Sequence, residues 1–173
     1  TRTDICYRIE CRGDRIIDVN SYYKRFRTLV RIRSKSIGGG LGIDYAHPNR
    51  QAIPDFKKYF NTYDEHLKLR PYQTLHFELG RSVVGQCGSL ISRVLYVKEA
   101  ANKQFAILDA GMTELIRPAL YQAFHKIENI TSDAPVQTYD VVGPICESSD
   151  VFGKAIDLNT VKRGDFIALR SAG

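Results

Sequence analysis

Apolar residues change their spacing several times along this chain, and the spacing predicts most of its elements. From Lys35 a short apolar approach ends in GGGLG at 38–42, and the turn-rich DYAHPNRQAIP follows at 44–54. DFKKYFNTYDEHL (55–67) carries apolar side chains at helical spacing, so the order reads strand, loop, amphipathic helix. TLHFELG (74–80) reads as a second strand. RSVVGQCGSLISRVLYVKE (81–99) is rich in β-branched residues and predicts extended structure, and NKQFAILDAG (102–111) predicts another strand by the same criterion.

MTELIRPALYQAFHKI (112–127) reads as a helical stretch in which Pro118 must sit near a helix start or cause a kink. TYDVVGPIC (138–146) is a strand that ends in the polar turn ESSD, and VKRGDFIALRSAG (161–173) is a turn followed by a strand that runs to the last residue. A strand stopping at Gly173 leads to the expectation that the chain is truncated there. Residues 1–33 show mixed periodicity, with a helix over Ser21–Val30 that lacks a start signal. No repeat, low-complexity tract or long linker is visible, and the one change of character lies near residue 36.

Composition narrows the class. With 173 residues, 43% of them hydrophobic, the chain is long enough to bury one real core. It contains no run of eighteen apolar residues and no leader-like start, so neither a membrane span nor a signal peptide is expected. Cys6, Cys11, Cys87 and Cys146 are too scattered for a zinc site or a disulfide framework, which predicts a reducing, cytoplasmic setting and no metal. The net charge of +6 comes from residues 1–36, which hold ten Lys/Arg against four Asp/Glu. A surplus confined to one end, with no stacking platform, argues against nucleic acid as a partner.

Four places carry candidate chemistry. Gly38, Gly39, Gly40 and Gly42 follow a predicted strand, where missing side chains let backbone N–H groups turn toward a phosphate. A plain glycine turn fits them equally well. Glu78 and Arg81, in ELGR, close the next strand, where parallel α/β barrels place their active sites, although a surface ion pair would look the same. Arg117 and Tyr121 are four apart, so in a continuous helix they share a face and could grip a carboxylate by charge and hydroxyl. An amphipathic helix with a solvent-facing arginine is the alternative. Cys146 and Glu147 open the ESSD turn, a place for a proton-passing thiol and an amine-reading carboxylate, or for a buried structural cysteine.

Taken in order, IGGGLGI, FELGR, DAGMTELIRPALY and CESSD resemble the successive motifs of the bacterial meso-diaminopimelate decarboxylases, pyridoxal 5'-phosphate enzymes of the alanine-racemase-like and ornithine-decarboxylase-like class. The resemblance runs from about Ser36 to Gly173, whereas residues 1–35 resemble nothing in that family. It implies an α/β plus all-β fold: the last strands of a PLP-binding (β/α)8 barrel over 1–80, then a C-terminal β-sandwich or Greek-key barrel domain over 81–173, truncated at both ends. Gly38, Gly39 and Gly40 would bind the cofactor phosphate, and Glu78, Leu79, Gly80 and Arg81 would border the cofactor, Glu78 keeping its ring nitrogen protonated. Leu79 stands where the family's motif usually has proline.

The resemblance further implies that Arg81, Arg117 and Tyr121 hold the distal carboxylate of the substrate, that Glu147 holds its distal amine, and that Cys146 is the proton donor. In the family the Cys-Glu segment reaches the partner subunit's site, so a homodimer is implied. The family's cofactor-holding lysine and its HIGS-like segment do not occur in the 173 residues, and its last substrate-contacting tyrosine would follow the terminal SAG. The chain alone is therefore expected to be inactive. Two other readings stay open: a relative acting on ornithine, arginine or carboxynorspermidine, and a non-catalytic pseudoenzyme or dimer-partner fragment.

Overall fold

The computed structural model describes residues 34–50 and 53–173. The helix expected over Ser21–Val30 lies outside the described residues, as do Cys6 and Cys11. The chain divides into two compact units, Thr1–Gly42 with Ile53–Val83, and Ile43–Ala52 with Val84–Gly173.

In the first unit, β1 (Ser34–Ser36) runs parallel to β2 (Thr74–His76), pairing Ser34 with Thr74 and Ser36 with His76. A parallel pair needs a crossover, and α1 (Phe56–His66) provides it. The helix starts where the sequence predicts because Asp55 caps it, its carboxylate accepting the Lys58 N–H at 2.8 Å. Tyr59, Phe60 and Tyr63 lie one helical turn apart or adjacent, and all three rings meet Phe77 edge-on, with centroids 5.8, 4.9 and 5.3 Å away. Phe77 comes directly after β2, so this cluster fixes the helix against the end of that strand.

Residues 81–87 correct one expectation. They are not extended: α2 (Arg81–Val84) is a single helical turn, followed by a 3-10 turn over Gly85–Cys87. The Val83 N–H donates to the Gly80 carbonyl at 3.0 Å, starting the turn. Glycines at 80, 85 and 88 punctuate the segment, and their turn chemistry outweighs the β-preference of Val83 and Val84.

The second unit is a six-stranded sheet in the order β5-β8-β3-β4-β6-β7. Its strands are β3 (Ser89–Ala100), β4 (Lys103–Leu108), β5 (Ile127–Asn129), β6 (Val136–Val142), β7 (Val151–Asn159) and β8 (Phe166–Arg170). All pairs are antiparallel except β4 with β6. β3 is the corner. Ser89–Arg93 pairs with β8 and Val94–Ala100 with β4, with a bulge between Val94 and Tyr96. Leu90, Ser92 and Val94 face inward in strict alternation. The bulge then leaves both Leu95 and Tyr96 outside, and Val97 returns to the core face.

The sheet curls until its two edge strands approach, and Asn129 Nδ2 on β5 donates to the Asn159 carbonyl on β7 at 3.3 Å. Val94, Ala106, Leu108, Val141, Phe152, Ile167 and Leu169 fill the interior. Tyr139 is buried among them with a satisfied hydroxyl, which accepts the Val161 N–H and donates to Gln137 Oε1, each at 3.0 Å. The strand expected to run to Gly173 stops at Arg170, because Ser171 takes a left-handed φ of 58° that a strand cannot continue through. Among the described residues no helix is long and apolar enough to cross a membrane.

Candidate functional site

The glycine loop leaves β1 and folds onto the segment after β2. Ile37 N–H donates to the His76 carbonyl at 2.8 Å and Glu78 N–H to the Gly38 carbonyl at 2.7 Å, so the two strand ends remain in step past their last paired residues. Ser36 Oγ donates to Glu78 Oε1 at 2.6 Å and accepts the Gly38 N–H at 3.3 Å. One serine thus aims the carboxylate and shapes the loop, and no motif in the sequence marks it. Tyr59 on α1 holds the loop from the helix side, its hydroxyl donating to the Gly39 carbonyl at 3.0 Å.

The glycines are needed as glycines. Gly38 and Gly40 have φ of +74° and +101°, and a Cβ on Gly39 would stand 3.0 Å from the Glu78 carbonyl oxygen. At Gly40 and Gly42 an added Cβ would meet nothing within 4 Å, so the backbone there lies open to a close approach. That combination of left-handed glycines and an open backbone fits a phosphate held by N–H groups. Leu79 is half-buried, Gly80 accepts the bond that starts α2, and Arg81 is the exposed first residue of that helix.

In the second unit, Arg117 and Tyr121 are the first and last residues of α3 (Arg117–Tyr121), much shorter than the helical stretch expected over 112–127. Pro118 sits at its start, one of the two places open to it, and Gln122 in the left-handed region (φ 52°) closes it. Tyr121 is 68% exposed. Arg117 is not solvent-facing: it is half-buried, donating to the Tyr45 hydroxyl with its Cζ 5.3 Å from that ring's centroid. Tyr45 was not singled out by the sequence.

Cys146 is exposed, which removes the buried-structural-cysteine alternative. It lies with Glu147 in the turn between β6 and β7. Glu147 Oε1 accepts the Ser149 N–H and the Ser149 and Ser148 hydroxyls at 3.1–3.2 Å. These bonds, the backbone N–H of Ser149 foremost, hold its carboxyl below the usual glutamate range and therefore ionised. Beneath the turn, Asp150 is 2% exposed, and its carboxylate accepts the N–H groups of Met112 and Ile145 at 2.7 and 2.9 Å. It thereby fastens the Cys146 turn to the loop that leads into α3. Glu114 stiffens the same loop by accepting the Gly111 N–H at 2.7 Å, a bond that lowers its own pKa.

Residues 8–173 match the family model described as pyridoxal-dependent decarboxylase, C-terminal sheet domain, which corrects the expectation for residues 1–35, since most of that segment belongs to the match. The diaminopimelate decarboxylase of Bacteroides thetaiotaomicron is 81% identical over 172 residues, covering 93% of this chain, and that of Pseudomonas aeruginosa is 44% identical over 83% of it. The crystal structure of diaminopimelate decarboxylase from Helicobacter pylori complexed with L-lysine is 40% identical and superposes with a TM-score of 0.65, over 82% of this chain and 34% of that one. The chain spans 45% of the length of the Bacteroides enzyme and 34% of the Pseudomonas one. Its curled mixed sheet is that of the same domain, and the chain belongs to the pyridoxal-dependent decarboxylase family through its C-terminal sheet domain.

Proposed function

We propose that this chain supplies the phosphate loop, substrate clamp and proton donor of an enzyme that decarboxylates meso-2,6-diaminopimelate to L-lysine, with pyridoxal 5'-phosphate as cofactor. When bound, the cofactor supplies the electron sink for the pair left as carbon dioxide departs. Gly39 and Gly40 hold its phosphate through backbone N–H groups, while the Gly38 N–H serves the loop through Ser36. Glu78, aimed by Ser36, keeps a proton on the ring nitrogen, and Leu79, Gly80 and Arg81 border the ring. Arg81, Arg117 and Tyr121 bind the distal carboxylate, Glu147 the distal amine, and Cys146 returns a proton to the reacting carbon.

The observation that carries this reading is the Ser36–Glu78 bond, because the serine that aims this carboxylate also accepts the Gly38 N–H, tying a carboxylate to the glycine loop at adjacent strand ends. On this reading residues 1–80 belong to the PLP-binding barrel and 81–173 to the β-domain. Two subunits share sites through the Cys146–Glu147 turn, whose exposure suits that role. The enzyme acts in the cytoplasm, consistent with the exposed, unbridged thiol of Cys146.

The test is carbon dioxide release by the purified enzyme at the full length of its relatives, with added cofactor. Meso-diaminopimelate should be turned over far faster than ornithine or arginine, and the 173 residues alone should release none, having no lysine in the family's cofactor-anchoring motif. Equal release from ornithine would overturn the assignment of substrate.

A further inference from the structure

Arg117 reaches its place through a residue far from it in sequence. Tyr45 lies 72 positions upstream, in the turn just after the glycine loop. Its hydroxyl accepts a hydrogen bond from Arg117 Nη1, and the guanidinium carbon lies 5.3 Å from its ring centroid, so bond and ring together restrict a long, flexible side chain. The ring is itself held. His125 meets it edge-on, with centroids 5.0 Å apart and planes at 76°. That imidazole is 2% exposed and donates from Nδ1 to the Arg170 carbonyl, at the end of β8, at 2.9 Å.

The turn carrying Tyr45 is also pinned. The Asp44 carboxylate accepts the N–H groups of Ala46 and His47, each at 2.9 Å, and Gln86 Nε2 donates to the Pro48 carbonyl at 3.0 Å. Among the described residues no carboxylate forms an ion pair with Arg117. A half-buried guanidinium whose identified partner is a neutral phenol has its charge left to balance, and an anionic ligand group can balance it. The hydroxyl takes one N–H of the fork, and the rest remains for a carboxylate.

We infer that Tyr45 is a positioning residue that sets specificity for a substrate with a second carboxylate, by holding Arg117 in the orientation that binds it. The inference rests on the role proposed above for Arg117. It assigns to Tyr45 no contact with the reacting carbon, so its removal should weaken binding of carboxylate-bearing ligands selectively.

The experiment uses the full-length holoenzyme and its Tyr45→Phe, Arg117→Ala and double variants. Calorimetry measures the affinity of L-lysine, which carries a carboxylate, and of cadaverine, which has the same carbon chain and amines without one. Tyr45→Phe should weaken L-lysine about fivefold, the loss expected for one hydrogen bond, and leave cadaverine unchanged. The double variant should bind L-lysine no more weakly than Arg117→Ala, and the KM for meso-diaminopimelate should rise in Tyr45→Phe more than kcat falls. Equal weakening of both ligands, or independent multiplication of the two single effects, would overturn the positioning role. Failure of the wild type to release carbon dioxide from meso-diaminopimelate would overturn the functional reading instead, and the L-lysine to cadaverine ratio would still judge Tyr45.

Discussion

Asp150 accepts the backbone N–H of Met112 at 2.7 Å across 38 positions of sequence, and with its other oxygen it takes the N–H of Ile145. Two glycines make room for it. A Cβ on Gly143 would fall 2.2 Å from the carboxylate and one on Gly111 would fall 3.2 Å away. Asp150→Ala leaves two backbone donors without their acceptor, at about 1–3 kcal/mol each, so a loss of about 2–6 kcal/mol is expected in urea unfolding. Asp150→Asn should recover only part of it, since the amide can accept one N–H but presents its own N–H to the other. Gly143→Ala should be comparably damaging. Stabilities within 0.5 kcal/mol of wild type, on the order of an ordinary surface substitution, would contradict the role.

At the glycine loop, proposed to hold the cofactor phosphate, the expected effect separates backbone from side chain. Gly40 has φ of +101°, beyond the left-handed well that other residues tolerate, while its Cβ position is empty. Gly40→Ala should therefore act through strain, about 1–3 kcal/mol, and not through a clash. Cofactor titration by absorbance should show affinity reduced roughly ten- to a hundredfold. Gly42→Ala, at a position with no positive φ and no neighbour, should bind the cofactor nearly as wild type.

How much of this was legible in the sequence depended on whether the governing contact was local. The α1 helix was readable because Asp55 and an amphipathic run announce it, and β4 and β6 because their β-branched and aromatic residues do. The β7 strand was not. Gly153 admits Ile156, whose Cγ1 lies 2.7 Å from where a Cβ would be, and Ala155 turns to φ 52° to donate its N–H to Asp140, so the alternation is broken twice. β5 has only three residues, too few to show a period. At the site, Gly38–Gly40, Glu78, Arg117 and Cys146 stand in recognisable local strings. Ser36 and Tyr45 act on partners 42 and 72 positions away with nothing in their own neighbourhoods to mark them, and Asp150 closes the CESSD string without that string showing its hold on Met112, 38 positions away.

Acid should loosen the second unit through paired carboxylates. Hydrogen bonding from Lys126 holds Glu128 below its ordinary pKa, with Arg170 adding a bond at 2.6 Å, and Ser92 does the same for Asp109, also at 2.6 Å. A folded-state pKa below the unfolded one gives stability that is complete above the unfolded pKa, about 4, and is lost as pH falls through the lower folded value. Thermal unfolding should therefore show stability level from neutrality to about pH 5 and declining below it. Glu128→Gln should flatten that decline while lowering the plateau; an unchanged slope below pH 4 would show that Glu128 contributes nothing to it.

Glu147 offers the sharpest check on substrate binding, because its environment fixes its charge without fixing a substrate partner. Its Oε1 is engaged by Ser148 and Ser149, and those bonds keep it ionised to lower pH than an ordinary glutamate. An anion held this way on an exposed turn suits an ammonium group, and its charge is constant across the range where the enzyme would work. Glu147→Gln keeps the shape and the serine contacts but removes the charge, so the KM for meso-diaminopimelate should rise at least about tenfold, with a smaller change in kcat. Ser149→Ala keeps the charge but removes the hydroxyl bond, so it should raise the Glu147 pKa and weaken binding only at acidic pH. If Glu147→Gln lowered kcat and left KM unchanged, Glu147 would belong with the proton transfer proposed for Cys146 and not with the distal amine.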